Sequence, residues 1–580
     1  MDNKKTEMSR RAFLKGAAAS TAGIAVAGML GGCSPTEPSA PAAGTPAEEP
    51  VTSGKLPWLG PEPQIADSDV EATVNVDVIV VGAGLSGVAA TRAASEEGAA
   101  IVVFEKASGP QCRSGDFALI NGEIQARWGR DNFDTDILVD HEMDEMSYYP
   151  KRPILSKWAK GNAEVFSWYI GAKPDLHICP DSFTDIPDSG AKSFLYPWFY
   201  PLPKAYDWTK EKHPTYPTSV ALGPDQSPVL AANWEKAEGT GKVKPYWGHF
   251  VEKLIMDGDR VVGCYARNAE TGKYVKATAT KGLILASGEY SSNPDILNYY
   301  APAVNRAGVK NMWPNKDVEG NPTNTGDGLK MGAWIDAAIQ EHHAPMIHWM
   351  GVRGSGTSPY LRLNLEGKRF MNEDMPGQQV ENQIEGQPGR KIWQIWDSAW
   401  LDQIASFIPG HGSVCYVGKN PKNFVVSGSS GIVNQDDLDA AVEKGQVLKA
   451  DTIEGLLDLI GELDKKTALA SIKRYNELAK AGKDEDFGKV ASRMFPLEKG
   501  PYYAGSSGVA TMLVCCGGLV SDEDCHVYNN EGKIIPGIYV AGNIQGSRYA
   551  VQYPIAIKGI SHSLCLYYGY VAGKNAVKQI

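Results

Sequence analysis

The stretch VDVIVVGAGLSG, residues 76–87, decides the fold. Its first six residues, apolar apart from Asp77, read as a buried strand. Glycines follow at once at Gly82, Gly84 and Gly87, and the run from Val88 to Glu97 predicts a helix. Strand, glycine turn and helix in this order let backbone approach a diphosphate, whose charge rests on the helix N-terminus. A second apolar strand over 100–104 ends at Glu105, where a carboxylate can hydrogen-bond a ribose. The pattern predicts a dinucleotide site built from Gly82, Ala83, Gly84, Ser86, Gly87 and Glu105.

The surrounding 580 residues are 43% hydrophobic and 22% charged, enough for one large composite domain or two to three smaller ones. A net charge of -11, with no Lys/Arg run beyond the leader, argues against a nucleic-acid partner. The leader itself, SRRAFLK at 9–15, sets paired arginines before an Ala/Gly-rich run, the pattern of a twin-arginine export signal. It ends at LGGC, 30–33. There Cys33 is either a lipidated first residue or an incidental cysteine after a plain cleaved signal. The expectation is a signal over 1–33, a disordered linker over 34–73, export to the cell envelope, and attachment to the outer face of the cytoplasmic membrane by a lipid anchor alone. Nine cysteines form no disulfide framework. With no C-x-x-C-H, covalent haem is excluded, and Cys515 and Cys516 are read as buried thiols. No metal site is expected.

Two further strand-to-glycine segments occur, GLILASG at 282–288 and PGIYVAGN at 536–543, the latter followed by a final helix. In this arrangement the chain resembles the FAD-containing fumarate reductase and ketosteroid dehydrogenase superfamily over 74–576. The resemblance implies an α/β fold: a doubly wound, Rossmann-like FAD-binding domain formed by both chain ends, 74–346 and 500–580, with an inserted α+β capping domain over 347–499. It implies FAD as cofactor. It also adds Lys106, Ser114, Gly115 and Asp116 after the second strand, and Val251, Ala286, Ser287 and Gly288 around the third. Asp327 of a GDG helix start, Gly542, Asn543 and Ile555 complete the implied set. Within the cap, DTIE at 451–454 predicts a capping box opening a helix through Leu459, and 469–479 predicts a second helix.

The same resemblance frames the chemistry. In fumarate reductases a GKRF-x-NE stretch is followed by a proton-delivering arginine; here GKRFMNEDMPGQQ, 367–379, keeps Arg369 but has Gly377 at that place. The places of two carboxylate-holding groups fall at Val514 and Tyr553. Each such contact is worth about 1.5–3 kcal/mol and losing several together would cost roughly 4–8 kcal/mol, so fumarate is a poor candidate substrate. Arg353, Arg362, Arg390 and Arg548 stay open as substitutes. Tyr553-Pro554 occupies the place of the catalytic Tyr-Pro of ketosteroid dehydrogenases, and a neutral phenol can donate a proton or stabilise an enolate. The loop after it reads IAIKG, not the glycine-rich sequence of those enzymes. His348 falls where fumarate reductases carry a substrate-binding histidine and equally fits a core histidine; His342 and His343 read as structural.

The catalytic candidates are therefore Tyr553, His348, Arg369 and Arg548. The helix from Ile560 to Ala572 is expected to aim its N-terminus at the flavin pyrimidine. Phe194 to Pro203, aromatic and proline-broken, reads as a loop that either roofs an apolar ligand or packs on the domain. The expected function is an exported FAD-dependent reductase passing hydride to an activated C=C of a largely apolar enone, fed by a separate membrane or extracytoplasmic electron donor. The alternatives are a ketosteroid-type dehydrogenase, a fumarate-reductase-like enoate reductase, and a flavin electron-carrier lipoprotein.

Overall fold

Strand β1 (Val70–Val81) alternates partly buried and exposed residues in its first half and is buried throughout 78–81. Val78 and Val80 enter one hydrophobic cluster, Ile79 and Val81 another. A period of two sends neighbouring side chains to opposite faces, so the sheet divides two cores, as parallel sheets covered on both sides do. Asp77, the polar exception, accepts from the Ala100 amide at 2.9 Å and so fixes the start of the next strand.

The computed structural model describes residues 56–128, 132–179, 193–197, 207–306, 308–348, 359–403, 406–407, 414–416, 424–426, 434–507 and 511–580. The expected export signal with Cys33, Arg353 and the first part of the expected linker lie outside the described residues. After β1 come α1 (Leu85–Glu96), β2 (Ile101–Glu105), β3 (Val243–Trp247), β4 (His249–Asp257), β5 (Arg260–Asn268), β6 (Tyr274–Leu285), β7 (His526–Tyr528), β8 (Ile534–Val540) and the last helix, α2 (Ile560–Lys578). The sheet runs β7-β8-β6-β1-β2-β3, parallel except for β7, with β5 and β4 added in antiparallel fashion to the first half of β6. This is the doubly wound sheet expected, and β8, from the C-terminal end of the chain, sits inside it.

Helix α2 closes the structure by lying on α1. A Cβ at Gly569 would overlap the Ser86 carbonyl, and one at Gly573 would overlap that of Ala90. Small residues on both helices thus let the two backbones touch, which brings the first turn of α2 beside the glycine turn.

The inserted domain carries a four-stranded antiparallel sheet, Leu361–Asn364, Ile392–Asp397, Tyr502–Ser507 and Leu448–Ala450 in spatial order. Helices Ile453–Ile460 and Lys465–Ala481 cover one face through Leu456, Ile472 and Tyr475; Tyr360, Trp396 and Tyr503 cover the other. Strand Tyr502–Ser507 moves the end of this domain past the expected 499. Strand Ala344–His348, which straddles the expected start, pairs instead with Thr511–Cys516 of the FAD side.

Three local expectations are corrected. Residues 56–73 are folded: Trp58 is buried against Tyr300, ring centroids 6.0 Å apart, and the Pro63 carbonyl accepts from Lys253, so proline-rich composition hid an ordered approach to β1. Phe194–Pro197 is a strand on Ser219–Gly223, because its first proline, Pro197, is the last of its four residues; the rest of that aromatic segment, 198–203, lies outside the described residues. The helix at Ile453 is capped by Thr452, whose hydroxyl accepts from the Gly455 amide at 3.0 Å, one residue later than the DTIE register implies.

Arg369 is the main correction. Its guanidinium grips Glu373 (2.9 and 3.0 Å) and Asp484 (3.0 and 2.7 Å), while Lys489 reaches Glu373 at 3.1 Å, all four side chains at most 5% exposed. The residue is an internal tie of the inserted domain, its guanidinium taken up by two carboxylates. Replacing Glu373 by Gln leaves Lys489 and Arg369 short of a buried counter-charge. We expect E373Q to lose about 3–5 kcal/mol in denaturant unfolding.

The Arg369 pairing also holds the Asp484 carboxyl down at about 2, below its ordinary 3.8. A depressed acid contributes stability above its unfolded pKa and loses it as pH falls through the folded one. Thermal melts should therefore show this contribution intact at neutral pH and lost between about pH 4 and pH 2. D484N should flatten that part of the profile. At the helix contact, Gly569→Leu must separate α1 from α2; a cost of about 1–3 kcal/mol or more and a fall in bound flavin are expected, read by calorimetry and flavin absorbance.

Candidate active site

The carboxyl ends of β1, β2 and β6 open into a cleft of about 1080 Å³ including its mouth. Its position follows from topology, since ligands of open α/β sheets sit beyond the strand C-termini. Gly82, at φ 100, turns the chain from β1 into α1, and no side chain caps α1, so its first amides are free to meet an anion. A Cβ on Gly84 would have only the Gln111 carbonyl near it, at 3.8 Å, and one on Gly288 nothing within 4 Å, so backbone is bare toward the cleft at both places.

Glu105 closes β2. Its carboxylate accepts from the Ala83 amide at 2.6 Å and the Ala107 amide at 2.9 Å, and burial raises its pKa against the opposing pull of these bonds. Each oxygen retains a lone pair for a hydroxyl. Lys106, paired with Asp327 and 3.0 Å from the Thr325 hydroxyl, neutralises the acid at the start of helix Asp327–Trp334. Ser287 adds a buried hydroxyl without a hydrogen-bond partner. A bare glycine turn, an uncapped helix start, a ribose-type carboxylate and an orphan hydroxyl along one elongated cleft fit FAD.

The cleft thus brings together Gly82, Gly84, Ser86, Glu105 and Lys106 from the first half of the expected set. From the second half come Val251, Ala286, Ser287, Gly288, Asp327 and Asn543. The remainder lie behind it. Gly87 and Gly542 are packing glycines, a Cβ on the first overlapping the Gly82 carbonyl and one on the second overlapping Ser86. The chain bends at Ser114 (φ 45) and presses Gly115 onto the Leu222 carbonyl, so Gln111, Cys112 and Arg113 line the cleft in place of Ser114, Gly115 and Asp116. Ile555 is half-buried against the core beside α2.

Sequence reasoning missed His562 and Cys565 in the first turns of α2, His249 of β4, and Asn315, Thr323 and Asn324. His562 was accessible to it as a polar residue three places beyond Gly559, the cap of α2. Its Nδ1 donates to the Asp116 carbonyl at 2.9 Å, leaving Nε2 as an acceptor, and burial lowers its pKa, so it stays neutral.

Behind Asn543 and Cys565 lies a second polar group. Arg548 is fully buried, and its guanidinium donates to the Gln545 carbonyl (3.1 Å), Asn543 Oδ1 (3.2 Å) and Cys565 Sγ (3.7 Å). No carboxylate pairs with it among the described residues. The Tyr549 ring lies 5.3 Å from this cation and stacks at 5.2 Å on Tyr553. The Tyr549 hydroxyl and both amide atoms of Gln545 are buried without partners. Burial raises the Tyr553 pKa strongly, against smaller opposing effects of Ser561 and Arg548, so the phenol is neutral.

Of the four arginines left open by sequence, Arg362 is committed to the inserted domain, bonding Gln394 at 3.0 Å, Arg390 is half-buried and reaches the Arg306 carbonyl at 3.5 Å, and Arg353 lies outside the described residues. Arg548 alone among these stands beside Tyr553. His348 ends its strand, and its side chain lies outside the described residues. His343 is structural, as read: Nε2 donates to the Gln340 carbonyl at 2.8 Å, Nδ1 meets the Tyr290 hydroxyl, and the ring stacks on Tyr300. Cys515 donates to that same hydroxyl at 2.9 Å, and both Cys515 and Cys516 are buried free thiols.

A family model described as the FAD binding domain matches residues 202–556, and one described as an NAD(P)-binding Rossmann-like domain matches 80–137. The chain is 24% identical to 3-oxosteroid 1-dehydrogenase of Mycolicibacterium smegmatis, over 82% of this chain and 93% of that protein. It is 25% identical to digoxin reductase of Eggerthella lenta, over 98% and 96%. Among solved structures it resembles 3-ketosteroid-Δ4-(5α)-dehydrogenase from Rhodococcus jostii, in complex with 4-androstene-3,17-dione. There the TM-score is 0.65 at 20% identity, covering 89% of this chain and all of that one. With the cleft described above, the match places the chain in the FAD binding domain family, within the fumarate reductase and ketosteroid dehydrogenase superfamily, as an FAD-dependent oxidoreductase acting on carbon–carbon bonds.

Proposed function

We propose that this protein reduces an activated C=C whose activating group is a carbonyl or similar oxygen, and that Tyr553 and Arg548 bind that oxygen. FAD, when bound, supplies hydride exchange with carbon. Gly82, Gly84 and the first turn of α1 would hold its diphosphate and Glu105 its ribose, and the first turns of α2 line the same cleft.

The observation that carries the reading is Arg548. A buried cation without an anionic partner is costly. It becomes favourable when the ligand brings, or develops, negative charge on oxygen. Hydride addition to the carbon β to a carbonyl shifts electron density onto that oxygen. The Tyr553 O–H donates to it there, and Arg548 lowers the energy of the developing oxyanion. One cation suits one oxygen-centred charge, whereas Gly377, Val514 and Tyr553 offer nothing to grip the second carboxylate of a diacid. A neutral phenol carries the proton that reduction requires. The reverse reaction, desaturation of a ketone, uses the same pair with Tyr553 as hydrogen-bond donor and is the second reading, supported by the likeness to 3-oxosteroid 1-dehydrogenase.

The leader motif and Cys33 support an exported, lipid-anchored protein, and electrons then come from a separate envelope donor. Two variants test the site. Tyr553→Phe should lower the rate of flavin oxidation by an enone about 100-fold with FAD retained, and Arg548→Met should lower kcat/KM about 100-fold or more. Both are read by stopped-flow absorbance of the reduced holoprotein. Unchanged rates in both variants would remove the pair from the mechanism.

A further inference from the structure

A second group of titratable side chains lies where the inserted domain meets the loop that carries Tyr553. Helix Thr135–Glu145, capped by Asp134, places Glu142 and Glu145 three residues apart on one face. Glu142 is 1% exposed, and neither carboxylate oxygen has a hydrogen-bond partner at full geometry; the Ile557 amide, four residues beyond Tyr553, faces it.

Glu145 has one oxygen 3.6 Å from His141 Nε2 and 3.5 Å from Gln379 Nε2 of the helix Gly377–Glu385, and its other oxygen is buried without a partner. Tyr216 stands edge-on to His141 at 5.4 Å, and its amide donates to the Ala556 carbonyl at 2.9 Å. From the segment before it, His213 faces Glu145, His141, Lys212 and Asp374. The nearby Arg493 is used by Asp374 and Glu211, each at 2.7 Å. No lysine or arginine pairs with Glu142 or Glu145 among the described residues.

Two acids one helical turn apart on a buried face disfavour each other's ionisation. Glu142, the more deeply buried, is the one that keeps its proton: burial first and the Glu145 charge second push its pKa well up. Exposure rises outward, from Glu142 through Glu145 to His141, whose side chain is 20% exposed. A proton taken from Glu142 therefore has a route of replacement from water. The acid borders the Tyr553 loop, and Tyr553, whose phenolate is strongly disfavoured, needs its proton returned at each turnover.

Resting on the reading above, we propose that Glu142 is the proton reservoir of the reduction, resupplying the Tyr553 side of the site and recharged through Glu145 and His141. In each cycle the alkene takes hydride from reduced FAD, itself reduced by an external electron donor, and one proton. The Glu142 O–H bond breaks and the carboxylate formed recovers a proton that enters from water at His141 and Glu145. Glu142 is a positioning and relay residue, acting through Tyr553.

Two measurements on the full-length FAD-loaded protein test this. Infrared difference spectroscopy between wild type and E142Q at pH 7 needs no substrate. A protonated-carboxyl C=O band present in wild type, absent in E142Q and retained in Y553F is expected; its absence from wild type overturns the proposal. Stopped-flow oxidation of the reduced protein by 2-cyclohexenone or 4-androstene-3,17-dione then follows turnover against pH. The wild-type rate should hold at low pH and fall as pH rises through the raised pKa. E142Q should lose that limb and run at least tenfold slower at pH 7, with E142D partly restoring both. An E142Q profile that matches wild type refutes the role of Glu142 alone. Failure of either enone to oxidise wild-type flavin, with the infrared band present, refutes the assigned reaction instead.

Discussion

The contact between α1 and α2 is the constraint on which the rest depends. The two helices belong to opposite ends of the chain, and they touch backbone to backbone because Gly569 and Gly573 present no side chain to Ser86 and Ala90. That approach sets His562 and Cys565, in the first turns of α2, into the same cleft as Gly82 and Gly84. It also carries the loop from Gly542 to Gly559 across the floor of the site, with Asn543 in the cleft and Arg548 and Tyr553 behind it. A larger residue at either glycine separates cofactor cradle and reacting group together, because one helix pair holds both.

Two groups of buried charges contrast. In the inserted domain, Arg369, Glu373, Asp484 and Lys489 satisfy one another, and their burial contributes rigidity only while all four remain. Around the Tyr553 loop the opposite holds. Among the described residues, Arg548 is a cation without a carboxylate, and Glu142 and Glu145 are acids without a lysine or arginine partner. Such groups are costly in a resting fold, and they cluster where chemistry needs a charge or a proton to change hands.

What was legible from sequence follows the same division. The strand, the glycine turn and Glu105 act locally, within about 30 residues, so their spacing carried the cofactor cleft and the sheet. Arg369 misled because a motif records neighbours in sequence, whereas its partner Asp484 is supplied 115 residues away. Ser114 and Gly115 misled by a few positions, since a left-handed bend decides which residues of a loop face the cleft. His562 and Glu142 depend on how α2 and the helix Thr135–Glu145 are turned against neighbours distant in the chain, which no local pattern records. Trp58 shows the same limit at the start of the fold, where composition suggested a free tether and one buried indole anchors it.

The central claim is that the buried Arg548 and the neutral phenol of Tyr553, behind the flavin cleft, suit one developing oxyanion and not two carboxylates. The most direct measurement is the second-order rate at which the anaerobically reduced holoprotein is oxidised by a neutral enone and by fumarate, each followed by the return of flavin absorbance. The account predicts oxidation by the enone at least 100-fold faster than by fumarate. Faster oxidation by fumarate, or a mature protein that binds no FAD after reconstitution, would contradict it.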